Sequence, residues 1–269
     1  MNRTALMVVS FGTAYEETRK KTIDEIETDL RTAFPERAFY RAWTSGMIRR
    51  KLQAEKGIQI DSVSEAMERI LGDGVTDLLV QPTHMMAGGE YEAVRQAISA
   101  YAKRFDVLNM GDPLLADVES LSDLADAIIS TYAELRDDEL LALMGHGSAR
   151  SSFASYELLD KRFRESGHAN ICVGTVEHEP GIAPVLARIN ARKPRKVTIA
   201  PLLVVAGGHA VRDMAGDGPE SWKSQISATG IQTECILKGM GEYQAVRDLY
   251  IRHARHARRI QAGVVNDAT

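Results

Sequence analysis

The sequence predicts an α/β protein with two similar doubly wound domains, each built on a four-stranded parallel sheet flanked by helices, and a cleft between them. Short apolar runs alternate with longer amphipathic stretches along the chain. The strand-like runs are apolar throughout, which is typical of parallel sheets covered by helices on both faces. A short internal repeat also divides the chain into two comparable halves.

The first half contains four predicted strands that alternate with helices. Apolar runs bounded by turn residues place the strands at residues 5–10, 38–43, 77–81 and 106–110. Apolar residues at helical spacing place helices at residues 16–34, 46–55, 62–71 and 90–104. A further helix at residues 117–136 leads into the second half.

The second half repeats this scheme. Its predicted strands are residues 140–144, 171–176, 196–205 and 233–237, and its helices are residues 152–165, 181–192, 220–228 and 241–260. We therefore predict one domain at residues 1–125 and a second at residues 126–269. The last helix either stays with the second half or packs back on the first, and residues 261–269 carry no pattern.

The internal repeat supports a duplication. The third strand of the first half runs VQPTHMMAGGE (residues 80–90), and that of the second half runs IAPLLVVAGGH (residues 199–209). The first strands match as VSFGT (residues 9–13) and MGHGS (residues 144–148). The matches fall in the same order and at the same places in each half, so duplication explains them better than chance.

Composition and motifs exclude several classes of protein. The net charge of −4 argues against an electrostatic nucleic-acid binder, which would usually be basic. No apolar stretch is long enough to span a membrane, and the N-terminal MNRTALMVVSFG predicts a first strand rather than a signal peptide. Cys172 and Cys235 form no CxxC pair and fit a reducing compartment, so we expect a cytoplasmic protein. No nucleotide is expected, because GxGxxG and GxxxxGK[ST] are absent.

Chemistry-bearing residues stand at the ends of three strands of the second half. His146 follows the first strand, Glu177 ends the second and His209 follows the third. Ligands bind outside the carboxyl ends of strands in open parallel sheets, so we expect these three side chains at one edge. Two imidazoles and a carboxylate bind a divalent first-row metal with coordination positions left open, and a neutral imidazole accepts a proton near neutral pH. A plainer alternative for each is a loop residue that only forms hydrogen bonds or faces solvent.

Corresponding strand ends of the first half carry Ser10, Thr13, Ser45, His84 and Glu90. If the halves face each other, these polar residues line the other side of one cleft, with His84 as a wall or as a partner of a ligand. The remaining histidines, at positions 168, 178, 253 and 256, are predicted surface residues.

The GHGS segment also allows a serine hydrolase with Ser148 as nucleophile. The pattern is not G-x-S-x-G, and no third member of a catalytic triad is evident. A serine hydrolase is therefore a weaker interpretation of this segment than a metal site that includes His146.

Seven segments, spread over nearly the whole chain up to about residue 241, form a specific combination. They are LMVVSFGT, RAWTSGMIRRKL, HMMAGGEYEAV, GDPLL, MGHGS, VGTVE and PLLVVAGGHAVRDMAGDGPESWK. Together they resemble the anaerobic sirohydrochlorin cobaltochelatases of the CbiK type, which are class II chelatases related to ferrochelatase.

This resemblance implies an enzyme of the cobalamin pathway that inserts Co²⁺ into sirohydrochlorin without ATP. It implies that His146 is the main proton acceptor and a metal ligand, that Glu177 and His209 complete the metal site, and that Glu90 lies near the pocket entrance. The apolar faces of the ring would meet residues such as Met85 and Leu203. Insertion of Fe²⁺ or Ni²⁺ into the same macrocycle and a non-enzymatic tetrapyrrole or metal carrier remain open, as does assembly into a homo-oligomer.

Overall fold

Two mainly parallel sheets form the framework of the molecule, as the sequence predicts. The computed structural model describes residues 3–147 and 152–261. Ser148, on which the hydrolase alternative depends, and residues 262–269 of the patternless tail lie outside this part of the chain. The strands are β1 (Arg3–Ser10), β2 (Ala38–Trp43), β3 (Val75–Pro82), β4 (Val107–Met110), β5 (Glu139–Gly145), β6 (Ile171–Thr175), β7 (Lys196–Pro201), β8 (Gln232–Cys235) and β9 (Arg258–Arg259).

The two sheets share one topology. The first has the strand order β2-β1-β3-β4-β9 and the second has the order β6-β5-β7-β8. Apart from β9, each strand runs parallel to its neighbours. The repeated sequence segments begin in β1 and β3 of the first sheet and in β5 and β7 of the second. Equal strand order in the two halves is what a duplicated sequence predicts.

The prediction of four strands in the first sheet is wrong by one short strand. β9 pairs antiparallel with β4 through Asn109–Arg259 and Met110–Arg258. Two exposed arginines carry no apolar pattern, so no local signal marks this strand. It forms because the last helix returns the chain to the edge of the first sheet.

Ten α-helices in the described part of the chain flank the sheets. Residues 16–34 form two helices rather than the single one expected, because the backbone leaves helical geometry at Thr22, whose hydroxyl donates to the Thr18 carbonyl. The helices are α1 (Glu16–Lys21), α2 (Ile23–Ala33), α3 (Gly46–Lys56), α4 (Val63–Gly72), α5 (Gly89–Ser99), α6 (Val118–Thr131), α7 (Ser152–Glu165), α8 (Ala183–Arg192), α9 (Trp222–Ser227) and α10 (Gln244–Arg255).

The last helix, α10, packs against the first half, which was one of the two arrangements left open. It contacts α2, α6 and β3. The buried Tyr250 hydroxyl donates to the Thr83 carbonyl at 2.9 Å, and Arg247 pairs with Asp29 at 2.6 Å. His253 is buried, with Nδ1 3.0 Å from the Asp112 carbonyl oxygen, so its prediction as a surface residue is wrong.

One apolar core reaches across both halves. Leu6 of β1 and Leu143 of β5 belong to the same buried cluster as Leu249 of α10. The predicted division between residues 125 and 126 falls inside the continuous helix α6, and the division into two domains stays a prediction. Within the described residues, no helix is both long and apolar enough to cross a membrane.

Candidate active site

His146, Glu177 and His209 come together at the carboxyl edge of the second sheet. They follow β5, β6 and β7, which are adjacent because the order is β6-β5-β7. One potential ligand atom from each residue lies within 4.8 Å of the others. The His146 and His209 rings meet edge to face with centroids 4.9 Å apart, and His209 Nε2 lies 3.8 Å from Glu177 Oε1. The strand-end positions thus converge as the sequence argument expected, while their role as metal ligands stays a prediction.

The backbone after β5 and β6 fixes two members of this cluster. The Glu177 amide donates to the His146 carbonyl at 2.8 Å. Gly147 has φ +87°, and a Cβ at this position would overlap the Glu177 carbonyl oxygen. Only glycine fits both the left-handed backbone and the close approach.

Both imidazoles are held through Nδ1. His146 Nδ1 lies 2.9 Å from the Gly147 carbonyl oxygen, and His209 Nδ1 lies 2.7 Å from Asp213 Oδ2. A carbonyl oxygen and a carboxylate only accept hydrogen bonds, so each Nδ1 carries the proton. Each Nε2 is therefore left with its lone pair available to bind a metal or accept a proton.

A cleft of about 840 Å³ opens beside the cluster and is lined by both halves of the chain. This volume lies within the range of roughly 300–1,000 Å³ that is common for small-molecule and cofactor sites. Three large apolar side chains on the first-half side, Phe11, Tyr15 and Met47, are between 46% and 70% exposed. Their exposure at a cleft mouth indicates a surface that meets an apolar ligand.

Five of the seven residues predicted to bind the substrate lie in the cleft wall, namely Thr13, His84, Met85, Glu90 and Leu203. The other two are outside the described lining. Ser10 is buried and accepts a hydrogen bond from the Thr83 hydroxyl at 2.9 Å. Ser45 caps helix α3, where its hydroxyl accepts from the Ile48 amide.

His84 and Glu90 give the first-half wall its polar groups. Burial lowers the pKa of His84 to about 4, and neither ring nitrogen has a hydrogen-bond partner in the described chain. Burial also raises the pKa of the Glu90 carboxyl, and a proton taken up by His146 would lower that pKa. The wall facing the cluster therefore carries a neutral imidazole and a carboxyl group that is harder to ionise than usual.

Sequence reasoning missed the apolar rim and Asp213. The repeat does contain a signal for part of the rim, because Phe11 occupies the position equivalent to His146. The backbone hydrogen bonds of the two positions are also equivalent. The Ser45 amide donates to the Phe11 carbonyl, and the Glu177 amide donates to the His146 carbonyl. His178, expected at the surface, is exposed but also lines the cleft.

Comparison with known proteins assigns the chain to a family. The model for "Cobalt chelatase (CbiK)" matches residues 4–259. The chain belongs to the CbiK family of cobalt chelatases. The sirohydrochlorin cobaltochelatase of Salmonella typhimurium is 36% identical over 253 residues, which cover 94% of this chain and 96% of that protein. Sirohydrochlorin cobaltochelatase CbiKC of Nitratidesulfovibrio vulgaris is 29% identical over 256 residues, covering 94% of this chain and 90% of that protein.

Solved chelatase structures share the fold of this CbiK-family chain. SirB from Bacillus subtilis with Fe³⁺ superposes with a TM-score of 0.65 at 12% identity, covering 94% of this chain and 95% of SirB. CbiX, described as the terminal enzyme of sirohaem biosynthesis in denitrifying bacteria, gives a TM-score of 0.55 at 17% identity and covers 94% and 99% of the two chains. At these identities the likeness concerns the fold alone, and it confirms the two-sheet α/β architecture.

Proposed function

We propose that this protein is a sirohydrochlorin cobaltochelatase, which inserts Co²⁺ into sirohydrochlorin held in the cleft between its two halves. The names of the Salmonella and Nitratidesulfovibrio relatives support this substrate and metal. The observation that carries the proposal is the convergence of His146, Glu177 and His209 beside a cleft of about 840 Å³. Two imidazoles and a carboxylate hold a divalent ion and leave positions from which it can move to another set of ligands.

Protons balance the transfer of the metal. Two pyrrole N–H groups lose their protons as one M²⁺ binds the four ring nitrogens, so the net charge of the macrocycle stays the same. The proposed exchange involves no nucleotide. In this proposal the metal would first be held by the cluster, where Glu177 offsets part of its charge. As the ring nitrogens replace the protein ligands, His146 Nε2 is released from the metal and accepts one pyrrole proton, because its Nδ1–H is engaged by the Gly147 carbonyl. The second pyrrole proton passes to water in the open cleft.

The cleft walls suit a flat macrocycle with carboxylates at its periphery. Met85, Leu203 and Phe11 offer apolar contact to the ring. Arg212 lies over Gly208 in the cleft wall, and neither Arg212 nor Arg50 forms an ion pair among the described residues. Arg49 is less suitable, because it is paired with Glu65 at 3.0 Å. A guanidinium group without an ion pair, such as that of Arg212 beside the lining residue Gly208, would bind a peripheral carboxylate, with bidentate geometry available.

The donor atoms alone do not select cobalt. Imidazole and carboxylate ligands also bind Fe²⁺ and Ni²⁺, and the affinity order depends on the metal rather than on this site. Cobalt is proposed because both curated relatives named above are cobaltochelatases. The same cleft in a carrier would bind macrocycle or metal stoichiometrically without accelerating insertion.

The test is anaerobic insertion by the purified full chain, followed by the absorbance change of sirohydrochlorin on addition of Co²⁺, Fe²⁺ or Ni²⁺. His146→Ala should lower the insertion rate by about 10²–10⁴-fold, since it removes a general base, while sirohydrochlorin binding stays close to wild type. His168→Ala is the matched control, because His168 Nδ1 also lies 2.9 Å from a backbone carbonyl oxygen but outside the cleft. This control should insert cobalt at the wild-type rate.

Three results would overturn the proposal or one part of it. Wild-type protein that binds sirohydrochlorin but does not raise the insertion rate of Co²⁺ above that in buffer would be a carrier. Undiminished turnover by His146→Ala would remove this residue from the mechanism. Faster insertion of Fe²⁺ or Ni²⁺ than of Co²⁺ would assign a different metal to the same chemistry.

A further inference from the structure

The two histidines of the cluster differ in what holds them. His146 Nδ1 faces a neutral backbone carbonyl, whereas His209 Nδ1 faces the carboxylate of Asp213 at 2.7 Å. Asp213 forms no ion pair with a lysine or arginine among the described residues. Its negative charge is thus directed at the His209 ring rather than shared with a cation.

Local backbone geometry brings the Asp213 carboxylate to His209. The two residues are four apart, and the intervening chain is a π-helix at Ala210–Met214, closed by a hydrogen bond from the Ala215 amide to the Ala210 carbonyl. Residues four apart on a helical segment lie on the same side. The carboxylate therefore meets the ring at Nδ1 and leaves Nε2 on the side of Glu177, whose Oε1 lies 3.8 Å away.

We propose that Asp213 is a positioning residue for the metal site. It fixes the His209 ring with Nδ1 protonated and Nε2 directed at the cluster, and it increases the electron donation of Nε2 to a bound cation. Carboxylate partners of ligating histidines commonly act in this way, and their loss typically costs about 10–100-fold in metal affinity. Asp213 acts through His209 and is not itself a member of the ligand cluster. This inference rests on the proposed function.

Direct Co²⁺ binding by the full chain, without macrocycle, tests the role. The affinity is measured from the visible d–d absorption of the bound ion. Asp213→Ala should weaken Co²⁺ binding by about 10–100-fold, and Asp213→Asn, which keeps an acceptor oxygen without the charge, should fall between Asp213→Ala and wild type. Asp217→Ala is the control, because this aspartate is exposed and pairs with Lys223 rather than with a histidine. Sirohydrochlorin affinity and the thermal midpoint should stay at wild-type values in all three variants.

A double-mutant cycle separates positioning from a general structural effect. In a His209→Ala background, Asp213→Ala should cause no further loss of Co²⁺ affinity, because the residue through which Asp213 acts is already gone. Losses that add would show that Asp213 acts independently of His209 and would overturn the inference. Co²⁺ affinity in Asp213→Ala within twofold of wild type would overturn it as well.

This experiment keeps the two proposals apart. If wild-type protein inserts cobalt but Asp213→Ala binds Co²⁺ normally, only the positioning role fails. If Co²⁺ binding depends on Asp213 and His209 but the wild-type protein inserts no metal, only the enzymatic function fails.

Discussion

His84 places a titratable ring in the cleft wall without a hydrogen-bond partner for either nitrogen in the described chain. Burial lowers its pKa from 6.5 to about 4, so the ring is neutral in the folded protein near neutral pH. The neutral form suits a wall against an apolar macrocycle, because a buried imidazolium would need a counter-charge. Its edge-to-face contact with Tyr91, at 6.4 Å between centroids, supports a packing role.

Stability should depend on pH through His84. Between pH 6.5 and 4 the unfolded chain binds a proton at this residue that the folded protein does not, so the free energy of unfolding falls as the pH is lowered. His84→Leu should reduce the stability loss between pH 7 and pH 4.5 by about 2–3 kcal/mol. Urea unfolding at the two pH values measures the difference. The exposed His256→Leu should keep the wild-type loss, and an equal loss in His84→Leu would contradict the assignment.

Single residues also show what the sequence could specify about the site. His146, Glu177 and His209 could be chosen because each stands at a strand end, and parallel strand ends share one edge. Ser10 and Ser45 satisfied the same criterion, yet one bonds Thr83 and the other caps α3. Hydroxyls readily bind nearby backbone and side-chain groups, and only the folded geometry decides which partner they take.

At the scale of elements, the turns after β5 and β6 determine the shape of the cluster. Gly147, two residues after the end of β5, has φ +87°, and the equivalent Gly12 after β1 has φ +97°. The equivalent glycines of the two repeats therefore keep the same left-handed backbone. In the second half this backbone lets the Glu177 main chain approach the segment that carries His146.

Gly147→Ala should disturb both stability and metal binding. The new Cβ would be forced into the Glu177 carbonyl at a backbone conformation that alanine disfavours, so we expect a loss of about 2 kcal/mol or more in the free energy of unfolding. Co²⁺ affinity should fall with it, because Glu177 must move. Gly207→Ala is the control for both measurements, since its Cβ would meet no atom within 4 Å. Equal stability of the two variants in urea unfolding would refute the close-approach argument.

At the scale of the whole molecule, the two halves share a core that α10 helps to cover. Residues of this apolar core come from β1 and β5 as well as from α10, so neither half buries all of its apolar surface alone. Interfaces of this kind favour cooperative unfolding of both halves together.

The tryptophans report on the halves separately, because Trp43 ends β2 and Trp222 begins α9, and both are buried. We expect that in Trp43→Phe and in Trp222→Phe the fluorescence of the remaining tryptophan and the far-UV circular dichroism follow one urea transition. The fluorescence midpoint is compared with the circular-dichroism midpoint of the same variant. A change in stability caused by the substitution shifts both midpoints and so does not affect the comparison. A separated fluorescence midpoint in either variant would show that the halves unfold independently.

The sequence by itself determined the order of strands and helices, the duplication and the residues at the strand ends. These features depend on apolar periodicity and turn residues, which act between near neighbours in the chain. Only the tertiary structure decided that α10 returns to the first half, that β9 joins β4, and that Asp213 faces His209. Such choices depend on packing partners and side-chain directions set by residues distant in sequence, which no local pattern encodes.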